Sequence, residues 1–349
     1  MTRHYYKLVV KIFNSILLRI NAFAVSKLLT ATKKAPAEVK PVLIDAYYKS
    51  IVRKQKFLVS TTGNKLLIQH IIPVTYKNPF IHFSFLNVLS ASIFHAEKKL
   101  ITLDKVFVWG NSWSTGYYHF VAEDLPKLLY MQDAGLPVYS WAMKQPLWMT
   151  ELFSIFSIES KTVADDFFAE EVCYITNNRV RSAEYLFSTI HPQLVIALTK
   201  KMGQLAEHWS LKNGRKIIWL SRKYTYDRDI INEEECIDSM QKAGMEIEII
   251  YPEKLTVKQQ IMAVYHAAWI IGPHGAGLTN IMFSSCANLI EIGPAQRINN
   301  SFISIAASFN RQYQYLQAVP VSSFFKQRSN LKIASINDFA RQVSKIVYS

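Results

Sequence analysis

The chain has 349 residues and 50% apolar content, enough for about two hydrophobic cores. Its 40 Lys/Arg against 26 Asp/Glu give a formal charge of +14, and the first 60 residues alone carry 12 basic and two acidic side chains. There is no internal repeat or low-complexity tract, and three scattered cysteines (Cys173, Cys236, Cys286) exclude a disulfide framework or a Cys/His zinc cluster.

In residues 5–29, Tyr5, Leu8, Ile12, Ile16 and Ile20 recur at helical spacing, with Lys7, Lys11 and Asn14 on the opposite arc. A basic amphipathic helix of this kind can lie in an anionic membrane surface, gaining about 1 kcal/mol per basic residue near the headgroups. The alternative is a helix packed on the body with its lysines in water. The expectation is contact with an anionic membrane surface through residues 1–35. Nucleic acid is not an expected partner, because no binding module accompanies the basic segment. No window of 18 uncharged apolar residues and no clean cleavage site occur, so the protein is expected in the cytoplasm, peripheral on the cytoplasmic face of a membrane.

After Pro36 and Pro41, residues 56–60 and 65–72 read as a hairpin around Thr61-Thr62-Gly63-Asn64, and residues 100–109 as a strand. Residues 116–131 read as a helix in which Pro126 signals a kink or an early stop. Residues 138–190 mix short strands and helices, 191–209 form a helix, and Asn213-Gly214 marks a joint. Strands at 216–220, 246–251, 268–272 and 288–292 then alternate with helices starting at Asn232 and at residues 256, 277 and 300, before a final helix over 335–349. This alternation predicts a parallel sheet with right-handed crossovers. The domains expected are 1–40 (basic segment), 41–212, 213–330 and 331–349 (terminal helix).

Residues 269–280, WIIGPHGAGLTN, carry the most chemistry. A buried strand stops at Gly272-Pro273, His274 follows, and Gly275-Ala276-Gly277 leads into an apolar helix. A strand, a glycine turn and a helix start bring unpaired N–H groups and the positive end of a helix dipole together, a site for phosphate or diphosphate. Arg222 also lies just past a strand end, on the edge where parallel sheets hold ligands.

Four blocks occur in order: Tyr117-Tyr118-His119-Phe120-Val121-Ala122-Glu123-Asp124-Leu125-Pro126, Trp219-Leu220-Ser221-Arg222, Arg228-x-Ile230-x-Asn232-Glu233, and Gly272-x-His274-Gly275-Ala276-Gly277-Leu278-Thr279-Asn280 followed by Ile290-Glu291-Ile292. With these the chain resembles the family 61 glycosyltransferases over about residues 105–320. The resemblance implies an α/β GT-B architecture, two Rossmann-like domains facing a cleft with the nucleotide on the second. It also implies inverting transfer from a nucleotide sugar, with no cofactor and no metal required, and a C-terminal helix that crosses back onto the first domain.

Inverting transfer needs a base for the acceptor hydroxyl and positive partners for the departing diphosphate. For the second need the chain offers Arg222 as a fork-shaped ligand, the N–H groups of Gly275, Ala276, Gly277 and Leu278, and the Thr279 hydroxyl, with Arg228 as a further donor-binding residue. His274 can meet phosphate or sugar. Glu291, inside an apolar strand, either accepts ribose hydroxyls or pairs with Arg228. Asn232 and Glu233 read as a helix cap or as ligand contacts.

The base candidates are Glu123, His119 and Asp124. His119 and Glu123 are four residues apart on one helix face, and Asp124 points about 100° away. Either Glu123 is the base, or it orients His119.

Asp227-Arg228-Asp229 has the spacing of metal-binding acids but sits in a basic loop, and Asp165-Asp166 lacks a third ligand. A lipase-like reading of the His-Gly-Ala-Gly run fails because no G-x-S-x-G elbow exists; Gly110-Asn111-Ser112-Trp113-Ser114 lacks the last glycine. The expected function is transfer from a nucleoside diphosphate sugar, uridine-linked, to a glycan or lipid-linked acceptor in capsule, lipopolysaccharide or similar surface-polymer synthesis. The rival is a catalytically silent membrane-bound scaffold that keeps a nucleotide-binding fold.

Overall fold

The computed structural model describes residues 114–135, 137–141, 145–163, 167–173, 178–181, 186–211, 216–295, 299–322 and 328–349, with strand segments 38–39, 53–60, 65–68 and 102–109. The expected helix over 5–29, Pro36, Pro41, Asp165-Asp166 and Asn213-Gly214 lie outside the described residues. Among the described residues no helix is long and apolar enough to cross a membrane.

The fold is mixed α/β. In chain order it runs β1 (Glu38–Val39), β2 (Arg53–Ser60), β3 (Lys65–Ile68), β4 (Thr102–Trp109), α1 (Leu125–Asp133), β5 (Val138–Trp141), α2 (Leu147–Ile155), β6 (Lys161–Val163), β7 (Phe167–Cys173), β8 (Asn178–Arg181), β9 (Leu186–Thr189), α3 (Pro192–His208) and β10 (Lys216–Leu220). It continues with α4 (Glu233–Lys242), β11 (Ile247–Ile250), α5 (Val257–Tyr265), β12 (Ala267–Pro273), β13 (Asn288–Pro294), α6 (Ser301–Ser308), β14 (Tyr313–Pro320), β15 (Leu331–Lys332) and α7 (Ile336–Tyr348). The expected hairpin is the antiparallel pair β2–β3.

Two larger sheets form. One has the order β3-β2-β7-β4-β5-β6, parallel from β7 to β6 and antiparallel around β2. The other runs β11-β10-β12-β13-β14 all parallel, and β1 and β15 add antiparallel to β14. From β10 the chain steps to β11 on one side and returns to β12 on the other. Ligands of such sheets sit outside the C-terminal strand ends at this reversal.

Strand alternation divides the core. Ile217, Trp219, Ile271 and Ile290 face one layer, where they meet α4 and Phe339, Ala340 and Val343 of α7. Ile218, Ile270 and Leu289 face the other, and that cluster continues through α5 and α6 into Leu128 of α1, Met149 of α2 and Leu198 of α3. Contrary to what the resemblance implied, the terminal helix packs, among the described residues, on the layer beside the second sheet. Its apolar stripe closes on α4, and Phe339 stands edge-on to Trp219 at 6.3 Å.

Two local features position the site. Pro126 does not stop its helix, because residues His119–Asp124 form a π-helical stretch that ends with the Leu125 amide bonded to the Phe120 carbonyl. This wider turn carries the chain past the proline ring. Helix α5 opens on a Thr256/Gln259 capping box, and its Val257 and Lys258 amides donate to the Glu151 carboxylate of α2 at 2.9 and 3.0 Å. That carboxylate pins α2 to the start of α5.

Candidate active site

A small hollow opens beyond the ends of β10 and β12, with about 10 Å³ of room as its side chains stand. Leu220, Ser221 and Arg222 line it from the first strand, Pro273, Gly275, Gly277 and Leu278 from the second, and Pro252 and Glu253 from the turn after β11. That is room for about one water molecule, so a phosphate would rest at the mouth of the hollow rather than inside it.

Arg222 is held from behind. Its Nε donates to the Asp227 carbonyl at 3.1 Å and its Nη2 to the Asp227 carboxylate at 2.8 Å, which leaves Nη1 against Gly275. A Cβ on Gly275 would stand 1.9 Å from Nη1, so only glycine lets the guanidinium lie against the turn. Burial and the neighbouring Arg228 hold Arg222 below its ordinary pKa, and Asp227 opposes them. Arginine remains charged in any such setting.

The glycine turn is tighter than a regular α-helix start: Ala276–Phe283 is a 3-10 helix. The first N–H groups of a helix lack intrahelical partners, which suits Gly275, Ala276 and Gly277 to the predicted cradle. Leu278 does not belong in it, because its amide donates to the Gly275 carbonyl at 3.0 Å. Thr279 is fully buried, its hydroxyl has no hydrogen-bond partner, and it does not line the hollow.

His274 and Glu291 also differ from expectation. Glu291, 1% exposed, meets His274 Nδ1 at 2.5 Å and accepts from the Tyr313 hydroxyl at 2.7 Å. It pairs neither with Arg228 nor with an open ribose site. The wall of the hollow passes from Pro273 to Gly275 without His274, whose ring stands edge-on to Phe302 at 5.1 Å. These two side chains form a buried brace beneath the turn. Tyr313 lies on the neighbouring strand β14, and spacing within one segment cannot reveal such a partner.

The loop between Arg222 and α4 is also braced. Glu233 accepts from Trp219 Nε1 and Ser221 Oγ, both at 2.7 Å. Asn232 clamps the Ile333 backbone, donating to its carbonyl at 2.9 Å and accepting from its amide at 3.0 Å, and makes no side-chain cap. Arg228, in a left-handed conformation (φ 62°), reaches Asp227 at 3.4 Å and does not line the hollow. Asp227, weighed in sequence only as a metal ligand, instead orients Arg222. Among the described residues no group of three His, Cys, Asp or Glu is placed to hold a metal.

On the first block, His119 Nδ1 lies 3.1 Å from Glu123 Oε2, and the two side chains are 31% and 26% exposed. Asp124 faces inward. It is 4% exposed and accepts from Ser114 Oγ at 2.5 Å; burial pushes its pKa up to about 6 against the pull of Lys127 and of that hydrogen bond. An acceptor can reach the His119–Glu123 pair but not Asp124. Next to the pair, Tyr117 donates to Asn280 of the 3-10 helix, so the first block sits on the glycine-turn block.

A family model described as Glycosyltransferase 61 matches residues 117–288, just under half of the chain. The matched span starts at Tyr117, takes in His119, Glu123, Arg222 and the whole glycine turn, and stops just short of Glu291. A comparison with curated proteins found no match. The match supports glycosyltransferase family 61 and with it an enzyme that transfers sugars.

Proposed function

We propose that this glycosyltransferase takes its sugar from a nucleoside diphosphate donor, uridine-linked, and passes it with inversion to a glycan or lipid-linked acceptor in surface-polysaccharide synthesis. In this reading the two sheets are the halves of a GT-B architecture, the donor sits on the β10–β14 sheet, and the basic N-terminal segment works at the cytoplasmic face of a membrane. The observation that carries the reading is the hollow at the sheet's reversal, where the free edge of the Arg222 guanidinium lies on the glycine turn.

In this reading the two blocks divide the chemistry. The His119–Glu123 pair takes the proton of the acceptor hydroxyl. The acceptor oxygen forms its bond to the anomeric carbon from the face opposite the leaving group, and the bond from that carbon to the diphosphate oxygen breaks. Arg222 and the N–H groups of Gly275, Ala276 and Gly277 take up the charge on the departing diphosphate.

Incubating the full chain with a panel of UDP-, GDP- and dTDP-sugars and acceptor glycans tests the reading, with the product's anomeric configuration set by NMR. UDP release with an inverted product is expected, and Glu123→Gln should bind the donor normally while turnover falls at least a hundredfold. A retained anomeric configuration would overturn the inverting mechanism. Full turnover by Glu123→Gln would remove the pair from the base role.

A further inference from the structure

The hollow accounts for the phosphate end of a donor and leaves its nucleoside unplaced. Beside its rim, past Arg222 and past β11, lies a cluster of aromatic rings with one ammonium. Tyr224 is 50% exposed, its ring stands edge-on to Tyr251 at 5.2 Å, and Lys254 Nζ caps one ring face at 3.5 Å. Two tyrosine rings grouped with an ammonium beside Arg222 make a surface on which a flat ring can rest.

The loop is not loose. Thr225 Oγ1 donates to the carbonyls of Arg222 and Asp227, and the Thr225 amide donates to Arg222. Tyr224 is therefore fixed relative to the guanidinium two residues before it. Glu253, which lines the hollow, sits in the same short turn as Lys254. A carboxylate is a poor neighbour for a bare anion, so its place on the rim is unfavourable for phosphate alone. It becomes favourable where a ribose lies over it, because carboxylates accept from ribose hydroxyls.

We propose that Tyr224, Tyr251 and Lys254 form the platform for the base of a nucleoside diphosphate whose ribose lies on Glu253 and whose phosphates rest at the mouth of the Arg222–Gly275 hollow. This rests on the diphosphate reading of the hollow and extends it to the nucleoside. Rings stack on any base face, and the ammonium faces the base's carbonyl oxygens.

Calorimetric titration of the full chain with UDP, GDP, ADP and inorganic pyrophosphate separates the two layers, with the tightest nucleotide carried to the variants. Tyr224→Ala should weaken that nucleotide about tenfold and leave pyrophosphate within about twofold, while Tyr224→Phe keeps both. Glu253→Gln should weaken the nucleotide and strengthen pyrophosphate, a pair of opposite signs that general misfolding does not produce. Tyr226→Ala, at a fully exposed position of the same loop, should change neither. If pyrophosphate and nucleotide bind equally to the wild type, or Tyr224→Ala alters both alike or neither, the platform is wrong while the hollow stands. If the wild type binds neither ligand, both readings fall.

Discussion

The Tyr117 hydroxyl donates to Asn280 Oδ1 at 2.5 Å across 163 residues of sequence. Asn280 in turn donates to Gln260 Oε1 at 2.9 Å, and the Tyr117 ring stands edge-on to Trp148 at 5.2 Å. The helix that carries His119 and Glu123 is thus fastened to the helix that follows the glycine turn. Tyr117→Phe leaves a buried acceptor unpaired, at a cost of about 1–3 kcal/mol. A melting temperature lower by a few degrees is expected, with kcat reduced more than donor affinity, because the hollow itself is untouched. Thermal melts and steady-state kinetics check both.

Gly275 separates Arg222 from the turn by the absence of one carbon. Gly275→Ala places a methyl on the guanidinium and should displace it, weakening nucleoside diphosphate binding at least tenfold with little loss of stability. The extended backbone there (φ 176°) accepts any residue. Titration beside a melt separates this from unfolding.

Thr279 buries a hydroxyl without a partner. Thr279→Val should therefore keep donor affinity and raise stability by about 1 kcal/mol, measured by denaturant unfolding. A loss of donor affinity in this variant would return Thr279 to the ligand.

Asp124 gives the fold a pH dependence. Its carboxyl is raised from 3.8 to about 6 by burial, with Lys127, His119, Glu123 and Ser114 as its neighbours. Well below its ordinary 3.8 the group is protonated both folded and unfolded, and its stabilising contribution is complete. As pH rises, the unfolded chain ionises first, so stability falls by about 3 kcal/mol until the buried carboxyl also ionises near pH 6. Asp124→Asn keeps an acceptor for Ser114 and should flatten stability between pH 4 and 6 in chemical denaturation.

Features that depend on nearest neighbours were legible in the sequence. The alternation from 216 to 308, the Pro192-led helix, the His119–Glu123 pair and the strand–glycine–helix turn each follow from spacing within about 15 residues. Partners brought by distant chain were not. Asn232 meets Ile333, Glu291 meets Tyr313, and α7 closes on α4 because its apolar stripe of Phe339, Ala340 and Val343 fits the layer beneath Trp219. The π-helical stretch escaped for another reason: Pro126 predicts a break, and the wider turn is seen only in the fold, where Phe120, Val121 and Leu125 are buried. Asp227 could have been found, since a carboxylate five residues after Arg222 in a tight loop is a natural partner for its guanidinium.

In the proposed mechanism Arg222 receives the diphosphate. Calorimetric titration of UDP into the wild-type chain and Arg222→Ala, at two salt concentrations, measures this most directly. Saturable one-to-one binding by the wild type that weakens with salt is expected, with a loss of at least tenfold in the variant while its melting curve stays cooperative. Equal affinity for UDP in the two proteins, or no binding of any nucleoside diphosphate by the wild type, would contradict it.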